Sequence, residues 1–258
     1  MSTAAGGAAA HFTFNEGGNG FHAVVADIKN PNITATTQLS PRLTNIWGML
    51  GKSQPVAAIT GTFFAYENQK PVADVLVNGQ LKATGYRGSI IAVDWYGNVS
   101  IVNAQVQKPF DYLGYRYALR GGVRVVDKGT IAPNPRAQGF RDPAISGSAA
   151  RTGVGLTESG KIILLATREK VTLTTFGKAM KAQGAVDAVA LDGGGSTMLY
   201  FNGDVKISPN RGLNNLFLIE KRSPFDADFQ NHLTRMTETQ SKGALQGVLD
   251  SYSRPTQR

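Results

Sequence analysis

The chain of 258 residues contains no cysteine, which excludes a disulfide framework, a thiolate nucleophile and a thiolate metal site. Its three histidines, His11, His22 and His232, are scattered without the spacing of metal ligands and read as incidental. No apolar run approaches the roughly 18 residues of a membrane-spanning helix. The start, MSTAAGGAAAHF, lacks the charged and apolar regions of a signal peptide. Neither a Gly-Lys-Ser/Thr phosphate loop nor a GxGxxG turn opening a helix is present, so the common nucleotide-binding motifs are missing. Acidic residues are scarce, 18 against 27 Lys and Arg, for a net charge of +9. That excess suits anionic partners such as glycans, phosphates, nucleic acid or a membrane surface. Nucleic acid is disfavoured among them, because no aromatic and basic recognition motif accompanies the charge.

A hydrophobic content of 41% is enough for one main domain with extensions. Residues 1–11 are small and low in complexity and read as a flexible segment. The domain follows over 12–221. In the polar tail, 222–258, Phe225, Phe229 and Leu233, then Leu245, Val248, Leu249 and Tyr252, fall in helical register and predict amphipathic helices for packing or self-association. Within the domain, Asn78-Gly79 and Tyr96-Gly97-Asn98 mark hairpins. Helices are predicted over Pro41 to Leu50, where Pro41 suits a first turn, and over Thr172 to Gln183, stopped by Gly184. From Tyr115 to Ile131 the chain reads as a strand pair interrupted by Gly121-Gly122 and turned at Asp127-Lys128-Gly129. The resulting fold class is α+β: a mostly antiparallel or mixed β-sheet core flanked by helices, with a C-terminal helical extension.

The segment Val186 to Asp204, VDAVALDGGGSTMLYFNGD, carries the strongest local signal. A buried strand runs into Gly193, Gly194 and Gly195, which remove every Cβ where the strand ends, with Asp192 and Ser196 on either side. Such a loop is either a tight turn or a cradle of backbone N–H groups for an anion. Between Lys108 and Arg151 lie eight basic and three acidic residues, an excess that reads as a solvated face or as steering for an anionic substrate. The long polar loop from Arg136 to Ala150 delivers Arg151 to the start of a core hairpin.

These pieces form an ordered set: AITGTFF (Ala58 to Phe64), LRGGVRVVDKGTI (Leu119 to Ile131), RTGVGLTESGKIILLAT (Arg151 to Thr167), LDGGGSTMLYFNGD (Leu191 to Asp204) and RGLNNLFLI (Arg211 to Ile219). The set resembles the phosphodiester glycosidase family over roughly residues 20 to 220. The resemblance implies hydrolysis of a sugar phosphodiester at the anomeric carbon, with Asp192 and Arg151 catalytic. Asp192 would activate water or support an oxocarbenium-like state, and Arg151 would hold phosphate oxygens. A structural ion pair between the two is the plainer alternative. Gly193, Gly194, Gly195, Ser196, Thr152, Thr60, Gly61 and Asn215 would surround the substrate, or cap backbone.

One departure stands out, Thr60-Gly61-Thr62 where the family usually has Asn-Gly-Gly, which bears on substrate identity. No ligand cluster demands a metal and no cofactor is implied, although a divalent cation beside Asp192 and phosphate is compatible. The implied partner is a phosphorylated or otherwise anionic glycan, with no nucleic acid, no membrane span, and homo-oligomers through the tail helices. Export or a cell-surface location follows from the resemblance alone. The alternative function is a non-catalytic anionic-glycan-binding or assembly module on the same scaffold.

Overall fold

The computed structural model describes residues 1–51 and 53–223. In chain order, β1 (Ser2–Ala4), β2 (Ala9–Glu16), β3 (Asn19–Ala26) and β4 (Ile33–Thr44) precede α1 (Ile46–Leu50) and β5 (Ala57–Thr60). Three hairpins follow: β6 (Val75–Val77) with β7 (Gln80–Ala83), β8 (Ser89–Asp94) with β9 (Val99–Val102), and the long β10 (Tyr115–Asp127) with β11 (Thr130–Ile131). After α2 (Pro143–Ser146) come β12 (Ala149–Thr157), β13 (Ile162–Val171), α3 (Leu173–Ala182) and β14 (Ala185–Ala190). The domain closes with β15 (Leu199–Phe201), β16 (Asp204–Ile207) and β17 (Leu213–Lys221).

The strands form two sheets. One has 12 strands, with the path β1-β2-β3-β13-β12-β14-β10-β6-β7; the other has 5, in the order β16-β15-β5-β17-β4. Val24, Val154, Leu164 and Val189 of the large sheet share one apolar cluster with Ala35, Ile59, Leu199 and Phe217 of the small one. The run Ile162 to Ala166 has no polar alternation because both its faces are covered. Ile162 and Leu164 enter the inter-sheet cluster, whereas Ile163 and Leu165 pack with Phe176, Ala179 and Met180 of α3. Gly153 and Gly155 of β12 make room for that helix: a Cβ on Gly153 would stand 2.7 Å from Phe176 and 3.0 Å from Met180. Helix α1 packs Ile46, Met49 and Leu50 on the outer face of the small sheet.

This overturns the α+β expectation. Among the described residues the architecture is predominantly antiparallel β, with three short α-helices. The predicted helix from Pro41 shrinks to Ile46–Leu50, capped by Asn45, because β4 runs on to Thr44. β4 is an edge strand of its sheet, where a proline costs no ladder bond. The strand pair turned at Asp127-Lys128-Gly129 is β10 with β11; at Gly121-Gly122 β10 runs on with a register shift between Arg120 and Gly122, and Gly121 at φ +102° supplies the irregularity. Residues 2–4 pair with 9–11, and Ala4, Ala8 and Ala9 are buried. Residues Met1–Lys221 form one compact unit. Apart from Arg222 and Ser223, the predicted helical tail lies outside the described residues.

Candidate active site

Asp192 follows the last residues of β14, where the chain leaves the large sheet for β15 of the small one. Its main chain is fixed from both sheets. The Asp192 N–H donates to Gly61 O at 3.1 Å, just beyond β5, and its carbonyl accepts from Thr152 Oγ1 of β12 at 2.6 Å. The next residue must be glycine, because a Cβ on Gly193 would lie 2.3 Å from Ala150 O. Gly194 adopts φ +57°, and Gly194–Ser196 then makes a single 3-10 turn. This compact crossover turns the Asp192 carboxylate and the Ser196 hydroxyl toward each other.

The residues expected around the substrate form the frame of this crossover. Thr60 Oγ1 donates to Ser196 O at 2.6 Å, tying β5 to the glycine loop. Asn215 brackets the 60–62 turn: its Oδ1 accepts from Thr62 N at 2.6 Å and its Nδ2 donates to Thr62 O at 3.0 Å. Gly61 has to be glycine there, since a Cβ would fall 2.0 Å from Asn215 Oδ1. Thr60, Thr152 and Asn215 are each no more than 2% exposed, so their polar atoms serve the backbone. Replacing Thr60 by Val should therefore destabilise the domain by about 1–3 kcal/mol in denaturant unfolding. Thr60→Ser, which keeps the donor, should lose far less.

Arg151 is brought close in sequence register but turned to other work. Its Nε donates to Val171 O at 3.3 Å and its Nη2 to Ile145 O at 3.0 Å and to Gly147 O, so it ties the α2 turn to β13. Adjacent residues of a strand face opposite sides, and Thr152 is the one that faces Asp192. The buried arginines Arg120 and Arg124 of β10 also hold structural contacts. Arg120 meets Asp74 at 3.3 Å and the carbonyls of Lys108 and Gln105, and Arg124 meets Asp127 and Asp187.

The cation that reaches Asp192 is Arg211, in the loop before β17. Its Nη2 lies 3.5 Å from Asp192 Oδ2 and its Nε donates to Ser196 Oγ at 2.6 Å. Nη1 bonds the Tyr66 hydroxyl, and the guanidinium sits 5.0 Å from the ring centroids of both Phe64 and Tyr66. Sequence reasoning assigned no role to Arg211, Phe64 or Tyr66. An arginine preceding Gly212 in a loop that leads into a buried strand was the available signal. The Asp192 side chain is 7% exposed and that of Arg211 27%, so the pair opens to solvent on the arginine side. Burial pushes the Asp192 carboxyl up to about 6, opposed by hydrogen bonds from Ser196 and Gly193 and by the charge of Arg211. The arrangement is a carboxylate near its titration point, a hydroxyl and a half-buried guanidinium converging beside two aromatic rings. Among the described residues no three His, Asp or Glu side chains gather to hold a metal ion.

The sequence profile of the phosphodiester glycosidase family matches residues 53–220. The chain belongs to the phosphodiester glycosidase family. That span holds every element of the Asp192 frame, from Thr60 through Thr152 to Arg211 and Asn215. The phosphodiester glycosidase fold is similar to the catalytic domain of zebrafish N-acetylglucosamine-1-phosphodiester alpha-N-acetylglucosaminidase, auto-inhibited by its pro-peptide in that structure. The TM-score is 0.67 at 16% identity, over 83% of this chain and 82% of that one. A hypothetical protein from Synechocystis is similar at TM-score 0.65 and 16% identity, over 82% of this chain and 61% of that one. At such identities these likenesses concern the fold. No curated protein sequence matches the chain.

Proposed function

We propose that this phosphodiester glycosidase hydrolyses a glycosyl phosphodiester by breaking the bond between the anomeric carbon and the phosphate oxygen. The observation that carries the reading is the pairing of a buried carboxylate, Asp192, whose pKa burial raises to about 6, with the half-buried guanidinium of Arg211. A phosphomonoester leaves as an anion and needs little protonation, so charge stabilisation on its oxygens matters more than a strong general acid. Arg211 supplies that charge, with the Ser196 hydroxyl beside it. Asp192 as carboxylate takes a proton from the attacking water. The water oxygen bonds to the anomeric carbon, the carbon–oxygen bond breaks with its electron pair on the phosphate, and the proton passes from Asp192 to solvent. Free sugar and a phosphomonoester result. Phe64 and Tyr66, flanking the guanidinium, offer ring faces to the sugar or the aglycone.

A base must be deprotonated to work. With Asp192 raised to about 6, kcat/KM is expected to climb about tenfold per pH unit below that point and to level off above it. A pH profile recorded from 4 to 9 checks this. A rate that falls between pH 5 and 7 would assign Asp192 the opposite role, that of an acid.

A further inference from the structure

Behind the loop that carries Arg211 is a cavity of about 450 Å³, walled by β2, β3, β13 and β16. Thr13, His22, Arg168, Glu169, Lys206 and Ser208 supply its polar lining. The loop from Ser208 to Gly212 forms the partition between it and the Asp192 site. On one side Arg211 reaches Asp192 and Ser196. On the other Arg168 donates to Asn210 Oδ1 at 3.1 Å and to Ser208 O, while the Asn210 N–H donates to Gly195 O at 2.8 Å.

The cavity offers two cations against one carboxylate. Glu169 Oε1 is engaged by the Gly20 N–H at 2.8 Å. Lys206 pairs at 3.0 Å with Asp204, which is 75% exposed, and an exposed pair of this kind exchanges readily for another anion. His22 Nδ1 lies 3.2 Å from His11 Nε2, and the His11 ring stacks between His22 and Phe201. The groups facing His22 are thus His11 from β2, Lys206 from β16, and Arg168 with Glu169 from β13. Burial and the charge of Lys206 lower the His22 pKa, and burial with His22 and Lys206 lowers that of His11 to about 4. His22 is therefore uncharged at neutral pH, and an anion entering the cavity would offset Lys206 and favour its protonation.

We propose that this cavity is a second anion subsite that takes a further phosphate of the substrate, so that the preferred substrate carries at least two phosphates along one glycan chain. The proposal rests on the glycosyl phosphodiester reading above. A polyanion crossing the Ser208–Gly212 loop would meet Arg211 on one side and Arg168 with Lys206 on the other.

The first test follows the His22 ring by NMR, assigned with His22→Gln, during a pH titration in inorganic phosphate or in sodium chloride of equal ionic strength. Phosphate is expected to raise the His22 midpoint by about one pH unit, chloride to leave it, and Lys206→Glu to remove the rise. A rise that chloride matches, or that survives Lys206→Glu, overturns the subsite and marks an adventitious ion only. The second test measures calorimetric binding of one-phosphate and two-phosphate glycosyl diesters to Asp192→Asn, with folding of each variant checked by thermal unfolding. About tenfold tighter binding of the longer ligand, lost in Lys206→Glu, supports the proposal, and equal affinities overturn it. Turnover by the wild type is read separately. Its absence together with a two-phosphate preference defeats the hydrolase reading and leaves the subsite standing.

Discussion

Asp192→Asn is expected to lower kcat on a glycosyl phosphodiester by about a hundred- to ten-thousand-fold, the range for removal of a positioned general base, while the fold survives. The stability of this variant should move the other way. The carboxyl titrates at its ordinary 3.8 when unfolded and at about 6 when folded. Between those values the unfolded chain binds fewer protons than the folded one, so stability falls as pH rises through the window and stays lower above it. An amide has no charge to bury. The variant should therefore be more stable than the wild type at pH 8, by on the order of 1–3 kcal/mol, and the gain should vanish below pH 4. Thermal unfolding at the two pH values measures this. A large loss of stability at pH 8 would instead make Asp192 a structural partner of Arg211.

Arg211→Ala should cost about a hundred- to a thousand-fold in kcat/KM, as loss of a preorganised donor to a developing anion does. It carries a signature that a packing defect would not give. Arg211 lowers the Asp192 pKa, so the acid limb of the pH profile should move upward from about 6 when the guanidinium goes. Arg211→Lys should retain most of that electrostatic effect but lose the forked contact to Asp192 and Ser196, and fall between the two in rate. Steady-state kinetics across pH with all three proteins separates these outcomes. An unchanged limb in Arg211→Ala would mean that the 3.5 Å pair does not govern the carboxyl in solution.

Much of the strand content was readable, because hairpin turns such as Asn78-Gly79 are encoded in two residues whose positive φ few other pairs adopt. The fold class was not. Pro41 signals a helix start only when the residues before it are free to end a strand, and β4 instead continues along β17 through Thr44. Asp192 was legible because Gly193 to Gly195 are a local requirement of the crossover. Arg211 was not, because its role depends on contacts with Tyr66, 145 residues away, and Ser196, 15 residues away. The direction of Arg151 was not legible for the converse reason: a strand arginine has two faces to choose between, and only the sheet pairing reveals that Thr152 takes the one toward Asp192.

The most direct measurement is hydrolysis of a panel of glycosyl phosphodiesters in water enriched in heavy oxygen, with the phosphomonoester product weighed by mass spectrometry and Asp192→Asn run alongside. Cleavage between the anomeric carbon and oxygen predicts that the phosphomonoester carries no heavy oxygen and that the variant forms it at least about a hundredfold more slowly. Heavy oxygen in the phosphate, or product formed equally well without the Asp192 carboxylate, would contradict the account.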